Sequence, residues 1–175
     1  MRLFVALALP EKVAGEIVAL QGRVGAGRAV PEENLHLTLA FLGDVQGGQM
    51  ADLDLALEAV QSPAPWVELA GVDLWEEALV IAARPDAVLE RLAQKLATAV
   101  RGAGISLPRR RYRPHVTFQR MGRMAPGEAE RVGRFLQARA DAALSPFEAG
   151  AFGLYRSHLR PEGALYELMA EYPLG

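Results

Sequence analysis

The 175-residue chain contains three histidines (His36, His115, His158) and three threonines (Thr38, Thr98, Thr117). Two of each recur in one spacing, His36-Leu37-Thr38 and His115-Val116-Thr117. Random placement would give two such hits among three histidines about once in a thousand sequences. A lone histidine on a half-apolar strand is ordinarily structural; the repeated threonine is what argues for chemistry. Side chains alternate along a β-strand, so residues i and i+2 share a face. Each copy therefore presents an imidazole beside a hydroxyl. In the first, Leu35, Leu37, Leu39 and Phe41 are expected to point the other way; in the second, Arg113, His115, Thr117 and Gln119 share a face with Val116 and Phe118 behind.

Two opposed imidazoles suit in-line displacement at phosphorus. One, neutral, takes a proton from attacking water; the other, protonated, gives one to the leaving oxygen. An ordinary histidine pKa of about 6.5 permits both states near neutral pH. The threonine hydroxyls, and any nearby arginine, would hydrogen-bond the non-bridging oxygens as charge builds up on them. No histidine or carboxylate stands two or four residues after His36 or His115, so no metal is expected. Two alternatives stay open: a metal-dependent hydrolase, which a chelator would inhibit, and a non-catalytic nucleotide- or RNA-binding module using the same cleft.

The elements that must hold these residues occur twice. An apolar strand (residues 2–9) leads through Pro10 into a helix with Val13, Ile17 and Leu20 inward, then the first histidine strand, a helix with Met50, Leu53 and Leu57 inward, and a strand over 66–75. The order restarts at Ala78–Ala83, with a helix opened by Pro85-Asp86, the second histidine strand, a helix after Pro126, and a closing hairpin across Pro161-Glu162-Gly163. This predicts an α+β fold of two pseudo-symmetric lobes, each an antiparallel sheet with helices packed outside, around a central cleft. One bilobal domain is expected over residues 1–175, with approximate halves 1–76 and 77–175. The apolar start reads as a buried strand rather than a leader, since one arginine and a short run pass straight into Pro10-Glu11.

Composition permits an enzyme and narrows its setting. With 51% hydrophobic and 23% charged residues the chain is ordinary globular protein, and the absence of cysteine removes thiolate chemistry and fits a reducing cytoplasm. The net charge of −2 excludes a protein that is basic all round. It conceals a segment from Arg91 to Gly127 with nine basic and no acidic residues, against ten basic and 21 acidic elsewhere.

The motifs resemble a known family. His36-Leu37-Thr38-Leu39 and His115-Val116-Thr117-Phe118 look like the paired H-x-T-x motifs of the 2H phosphoesterases. Arg2–Leu9, Pro31–Gly43, Tyr112–Thr117 and Gly163–Leu168 are further similar to the RNA 2′,3′-cyclic phosphodiesterases, often called 2′-5′ RNA ligases. The resemblance implies a cofactor-free enzyme that opens RNA 2′,3′-cyclic phosphate ends, or cyclic nucleotides, to 2′-phosphates, with ligation as the same chemistry run with a 5′-hydroxyl. It implies His36 as proton donor and His115 as proton acceptor, with Thr38 and Thr117 on the phosphate oxygens, in a monomer without a membrane partner. The chain departs from relatives at Arg28-Ala29-Val30, where an aromatic is common, and at Phe118, where a small residue is usual.

Arg109-Arg110-Arg111-Tyr112-Arg113 precedes the second motif and reads as an electrostatic funnel for an RNA backbone, with Arg110 and Arg113 as contacts. Arg120 lies an odd number of residues from His115 and needs a bulge to reach the same face. Tyr112, Phe4 and Tyr155 are candidates to stack on a base.

Overall fold

The computed structural model describes residues 1–175. Its strands are β1 (Arg2–Ala8), β2 (Arg28–Ala29), β3 (His36–Asp44), β4 (Trp66–Val67), β5 (Leu69–Trp75), β6 (Ala78–Ala83), β7 (His115–Arg120), β8 (Phe147–Glu148), β9 (Ala151–Arg160) and β10 (Gly163–Pro173). The helices are α1 (Glu11–Gln21), α2 (Met50–Glu58), α3 (Ala87–Gly102) and α4 (Glu128–Arg139). Two four-stranded antiparallel sheets run β10-β9-β1-β3 and β2-β7-β6-β5, and β4 pairs with β8 in a small ribbon. This is the expected α+β, two-sheet architecture. No helix is long and apolar enough to cross a membrane.

The sheets do not follow the halves 1–76 and 77–175. The C-terminal hairpin β9-β10 completes the first sheet beside β1, while β2 and β5 from the first half flank the second. The reason is pairing: β1 still has a free edge after joining β3, and β9 occupies it over Leu3–Ala6. The two-residue β2 falls in a stretch that reads as loop. It pairs Arg28 with Arg120 and Ala29 with Gln119, giving β7 a partner on its outer edge.

A single cluster of 36 buried apolar residues draws on both sheets and all four helices, so the lobes share one core. Asp86 caps α3 by accepting from the Leu89 amide at 2.8 Å. Each lobe's first helix crosses to the other lobe: α1 packs against β7, and α3 against β3. Gln21 of α1 reinforces this, its amide nitrogen donating to the carbonyls of Val30 (2.8 Å) and Phe118 (2.7 Å).

The two histidine strands have the same register. Ala8 opposes His36 and Ala6 opposes Thr38 in the first sheet; Ala82 opposes His115 and Val80 opposes Thr117 in the second. Beyond each threonine the ladder slips at the same place, so that Leu39 and Ala40 together face Val5, and Phe118 and Gln119 together face Leu79. Such a bulge reverses the alternation that follows it. Phe41 is accordingly 58% exposed rather than turned inward, and Gln119 is buried, donating to the Ala26 carbonyl at 2.8 Å. Both corrections have the same cause.

Gly27, just before β2, has φ +72°, and a Cβ there would lie 2.5 Å from the Arg120 carbonyl oxygen. Gly27→Ala is therefore expected to cost at least ~2 kcal/mol, from left-handed strain plus the clash. A urea titration should show a lower midpoint at unchanged slope.

Candidate active site

His36 and His115 stand at the starts of β3 and β7, strands that pack against each other where the sheets meet. Each ring is anchored identically. His36 Nδ1 lies 2.7 Å from the Asn34 carbonyl oxygen, and His115 Nδ1 2.7 Å from that of Arg113. A carbonyl only accepts, so Nδ1 carries the proton in both rings and the neutral form keeps its lone pair on Nε2. Thr38 Oγ1 sits 2.9 Å from His36 Nε2. Thr117 occupies the matching position two residues after His115, half-buried.

The surroundings of the two rings differ. His36 packs 4.8 Å from Phe4 and edge-on to Tyr166 at 5.2 Å. Burial among these rings holds its pKa below the ordinary 6.5, as do the charges of Arg120 and His115, against the opposing pull of the Asn34 carbonyl. His115 packs edge-on to Trp75 at 4.6 Å, and the Arg113 guanidinium lies 3.9 Å over the same indole. Such a cation–π contact is worth about 0.5–1 kcal/mol at an exposed site.

The side chains in the row just beyond each bulge account for this asymmetry. In the first sheet Tyr155, Phe4 and Phe41 oppose one another across β9, β1 and β3. The corresponding row in the second sheet is Trp75, Ala78 and Arg120 across β5, β6 and β7. Phe4 is a large ring where Ala78 is a methyl. The first row stacks upon itself, with Phe4 and Tyr155 rings 5.3 Å apart and nearly parallel. In the second, Trp75 leans over His115 instead.

The sequence-predicted residues divide accordingly. The structure brings together His36, His115, Thr38 and Thr117, sets Arg113 over Trp75, and uses the bulge to put Arg120 on the cleft side, near enough to His36 to influence its charge. Phe4 is 2% exposed, packs against the His36 ring and lines the same cavity as Tyr155 and Tyr166. Tyr112 does not stack. Its hydroxyl donates to the Thr38 carbonyl at 3.1 Å, tying the segment before β7 to β3, and burial pushes its pKa well up. Tyr155 is half-buried and lines, with Tyr166 and His36, a cavity of about 240 Å³. Arg110 is exposed and its side chain makes no hydrogen bond or ion pair. His158 pairs with Glu167 at 2.6 Å across the β9-β10 hairpin, outside the cleft. Trp75, Tyr166 and Asn34 were missed. Trp75 carried a usable signal, as the last residue of a strand adjoining the one that partners β7.

Two sheets, each offering one His-x-Thr strand to a shared cleft, with both imidazoles anchored through Nδ1, define a two-histidine phosphoesterase. The chain belongs to the LigT-like phosphoesterase family, whose model matches it twice, over residues 7–82 and 79–166, once around each motif. The chain is 35% identical over 152 residues to an RNA 2′,3′-cyclic phosphodiesterase of Geobacillus stearothermophilus, covering 83% of this chain but spanning only about half (47%) of that relative. It is 31% identical over 194 residues to one from Thermus thermophilus, covering 99% of this chain and 90% of the relative. The crystal structure of Escherichia coli LigT in apo form superposes with a TM-score of 0.79 at 25% identity, over 99% of this chain and 96% of that one.

The imidazole of His36 is expected to titrate below 6.5 in the free protein, followed by NMR, and Tyr166→Ala to move it upward by opening its wall. A wild-type value at or above 6.5 would refute the burial argument. The sign for stability follows. Between the lowered folded value and 6.5 the unfolded chain binds the extra proton, so stability falls as pH drops through that window, and less so in His36→Gln.

Proposed function

We propose that the protein is a metal-independent RNA 2′,3′-cyclic phosphodiesterase that opens the cyclic end to a 2′-phosphate, with 2′-5′ ligation as the related reaction. The observation that carries this is the pair of identically anchored imidazoles, His36 beside the Thr38 hydroxyl and His115 with Thr117 two residues on, in a family whose relatives bear that activity in their names. The whole of residues 1–175 acts as one domain, because each sheet supplies half of the cleft. The substrate is RNA with a cyclic phosphate end or a cyclic nucleotide, and the enzyme works as a monomer in the cytoplasm, a reducing setting that suits a chain without cysteine.

His115 Nε2 takes the proton of the attacking water as its oxygen bonds to phosphorus. The bond from phosphorus to the 3′-oxygen breaks, and His36 Nε2 delivers a proton to that oxygen. This leaves a 2′-phosphate and a 3′-hydroxyl, with one proton taken up by His115 and one released by His36. This direction is the one the family resemblance implies. The Nδ1 hydrogen bond of His115 is solvent-exposed, whereas that of His36 is half-buried. Burial disfavours the charged form of His36 in the free protein, so its protonation as donor depends on the anionic phosphate in the complex. Thr38, Thr117, Arg113 and Arg120 hold the non-bridging oxygens, and Trp75 supports His115 and Arg113.

His36→Ala and His115→Ala should each lower kcat by roughly 10²–10⁴ on a 2′,3′-cyclic nucleotide, and each should abolish one limb of a bell-shaped pH profile. Product analysis should find the 2′-phosphate only. A 3′-phosphate, or unchanged turnover in either variant, would overturn the assignment.

A further inference from the structure

We propose that a basic concavity beyond the β2 edge is a second phosphate-binding site, which holds the RNA strand leading into the cleft. The proposal rests on the reading of RNA as substrate. The concavity, about 360 Å³, lies between the loop after α1 and the outer face of α4. Arg23 from the loop and Arg131, Arg134 and Arg139 from the helix line it, with Phe135 and Gly25 between them.

Four arginines that line one space repel one another, and no carboxylate lies within ion-pairing distance of any of them. The ion pairs of the protein are Arg84–Glu68 and His158–Glu167, so none of the four is paired, and neither Glu128 nor Glu130 in the first turn of α4 bridges to them. An anion removes that repulsion, and the arginine fork matches a phosphate's oxygens better than any other side chain. The concavity is also built by the backbone. Arg131 Nε donates to the Gly25 carbonyl at 2.9 Å, which fixes this side chain and leaves its two terminal nitrogens unengaged. Gly25 has φ +70°, and a Cβ there would approach Arg131 Cδ to 3.5 Å. Glycine thus permits the left-handed turn that brings the loop into contact with the arginine.

The route to the cleft is short. Arg28, three residues after Gly25, pairs in register with Arg120 of β7, which reaches the cleft through the bulge. With strands about 4.8 Å apart and about 3.3 Å per residue, Gly25 and Arg120 are separated by on the order of 15 Å of backbone. Arg120, Arg28, Arg23 and Arg131 therefore mark a cationic path around the β2 edge, of a length that a few nucleotides span. A mononucleotide bound at the histidines does not reach its far end.

The test compares Arg134→Glu/Arg139→Glu, and the milder Arg134→Gln/Arg139→Gln, with wild type on two substrates: a 2′,3′-cyclic mononucleotide and a single-stranded RNA of about a dozen nucleotides ending in a cyclic phosphate. The charge-reversed protein should show a KM about tenfold higher for the oligonucleotide with kcat unchanged, and unaltered kinetics on the mononucleotide. Fluorescence anisotropy with the same RNA ending in a 3′-hydroxyl should show weaker binding, and the salt slope of log affinity should fall by about 1.4 for two lost phosphate contacts. Equal losses on both substrates, or no loss on the oligonucleotide, would overturn the proposal. So would variants that lose inorganic phosphate but still bind RNA normally. If wild type fails to turn over the mononucleotide, the proposed activity is wrong; the 3′-hydroxyl RNA still reads the second site by itself.

Discussion

The hydrogen bond from each Nδ1 to the carbonyl two residues upstream is the contact on which the cleft depends. It decides which nitrogen carries the proton, and with it the direction in which the lone pair of Nε2 faces. It also makes the ring only as well placed as the backbone before the strand. Both strand starts are accordingly fixed from outside. Asn34 is nearly buried, and its side-chain amide donates to the Ala164 carbonyl of β10 at 2.8 Å, so the C-terminal hairpin holds the turn that anchors His36. Arg113 is followed by Pro114, which confines it to extended backbone, and the Pro114 carbonyl accepts from the Ala83 amide at 2.9 Å. Different residues thus enforce the same geometry in the two lobes.

This explains why the hairpin pairs with β1 rather than with a neighbour from its own half of the chain. Pairing of β9 with Phe4 and its neighbours brings Tyr155 onto the Phe4 ring and carries β10, with Tyr166 and Ala164, to the first histidine. The first imidazole is built from three distant stretches of chain. Contacts of that separation leave no mark in local periodicity, so hairpin and histidine strand are both legible in the sequence while their association is not. The His-x-Thr faces were legible because period-two alternation is a local property of a strand, and Leu37, Leu39, Val116 and Phe118 do form the buried side. Phe41 and Gln119 were misplaced because a bulge costs little in a run such as Leu39-Ala40-Phe41-Leu42, where each register buries something apolar. Tyr112 shows the converse limit. An aromatic beside a basic run looks like a base-stacking residue until its hydroxyl is seen to close onto Thr38.

A duplicated fold with equal anchors would give two equal histidines, yet the two imidazoles sit in unlike environments. The difference comes from side chains on the strands beside the motifs. Phe4 and Ala78 occupy equivalent places in the two sheets, and the substitution of a ring for a methyl propagates from there. Around His36 the ring recruits Tyr155 and Tyr166 into an apolar wall that penalises the charged imidazole. Around His115 the methyl leaves room for Trp75 to lie against the imidazole and carry Arg113 on its outer face. The bulges then point Phe41 and Arg120 into the cleft from corresponding positions, one apolar and one cationic. A single repeated strand geometry therefore yields an enclosed, apolar half around His36 and an open, basic half around His115. The near-neutral net charge of the chain hides the same unevenness, since the basic stretch over residues 91–127 runs into the strand of His115 while the remaining residues carry the acidic excess.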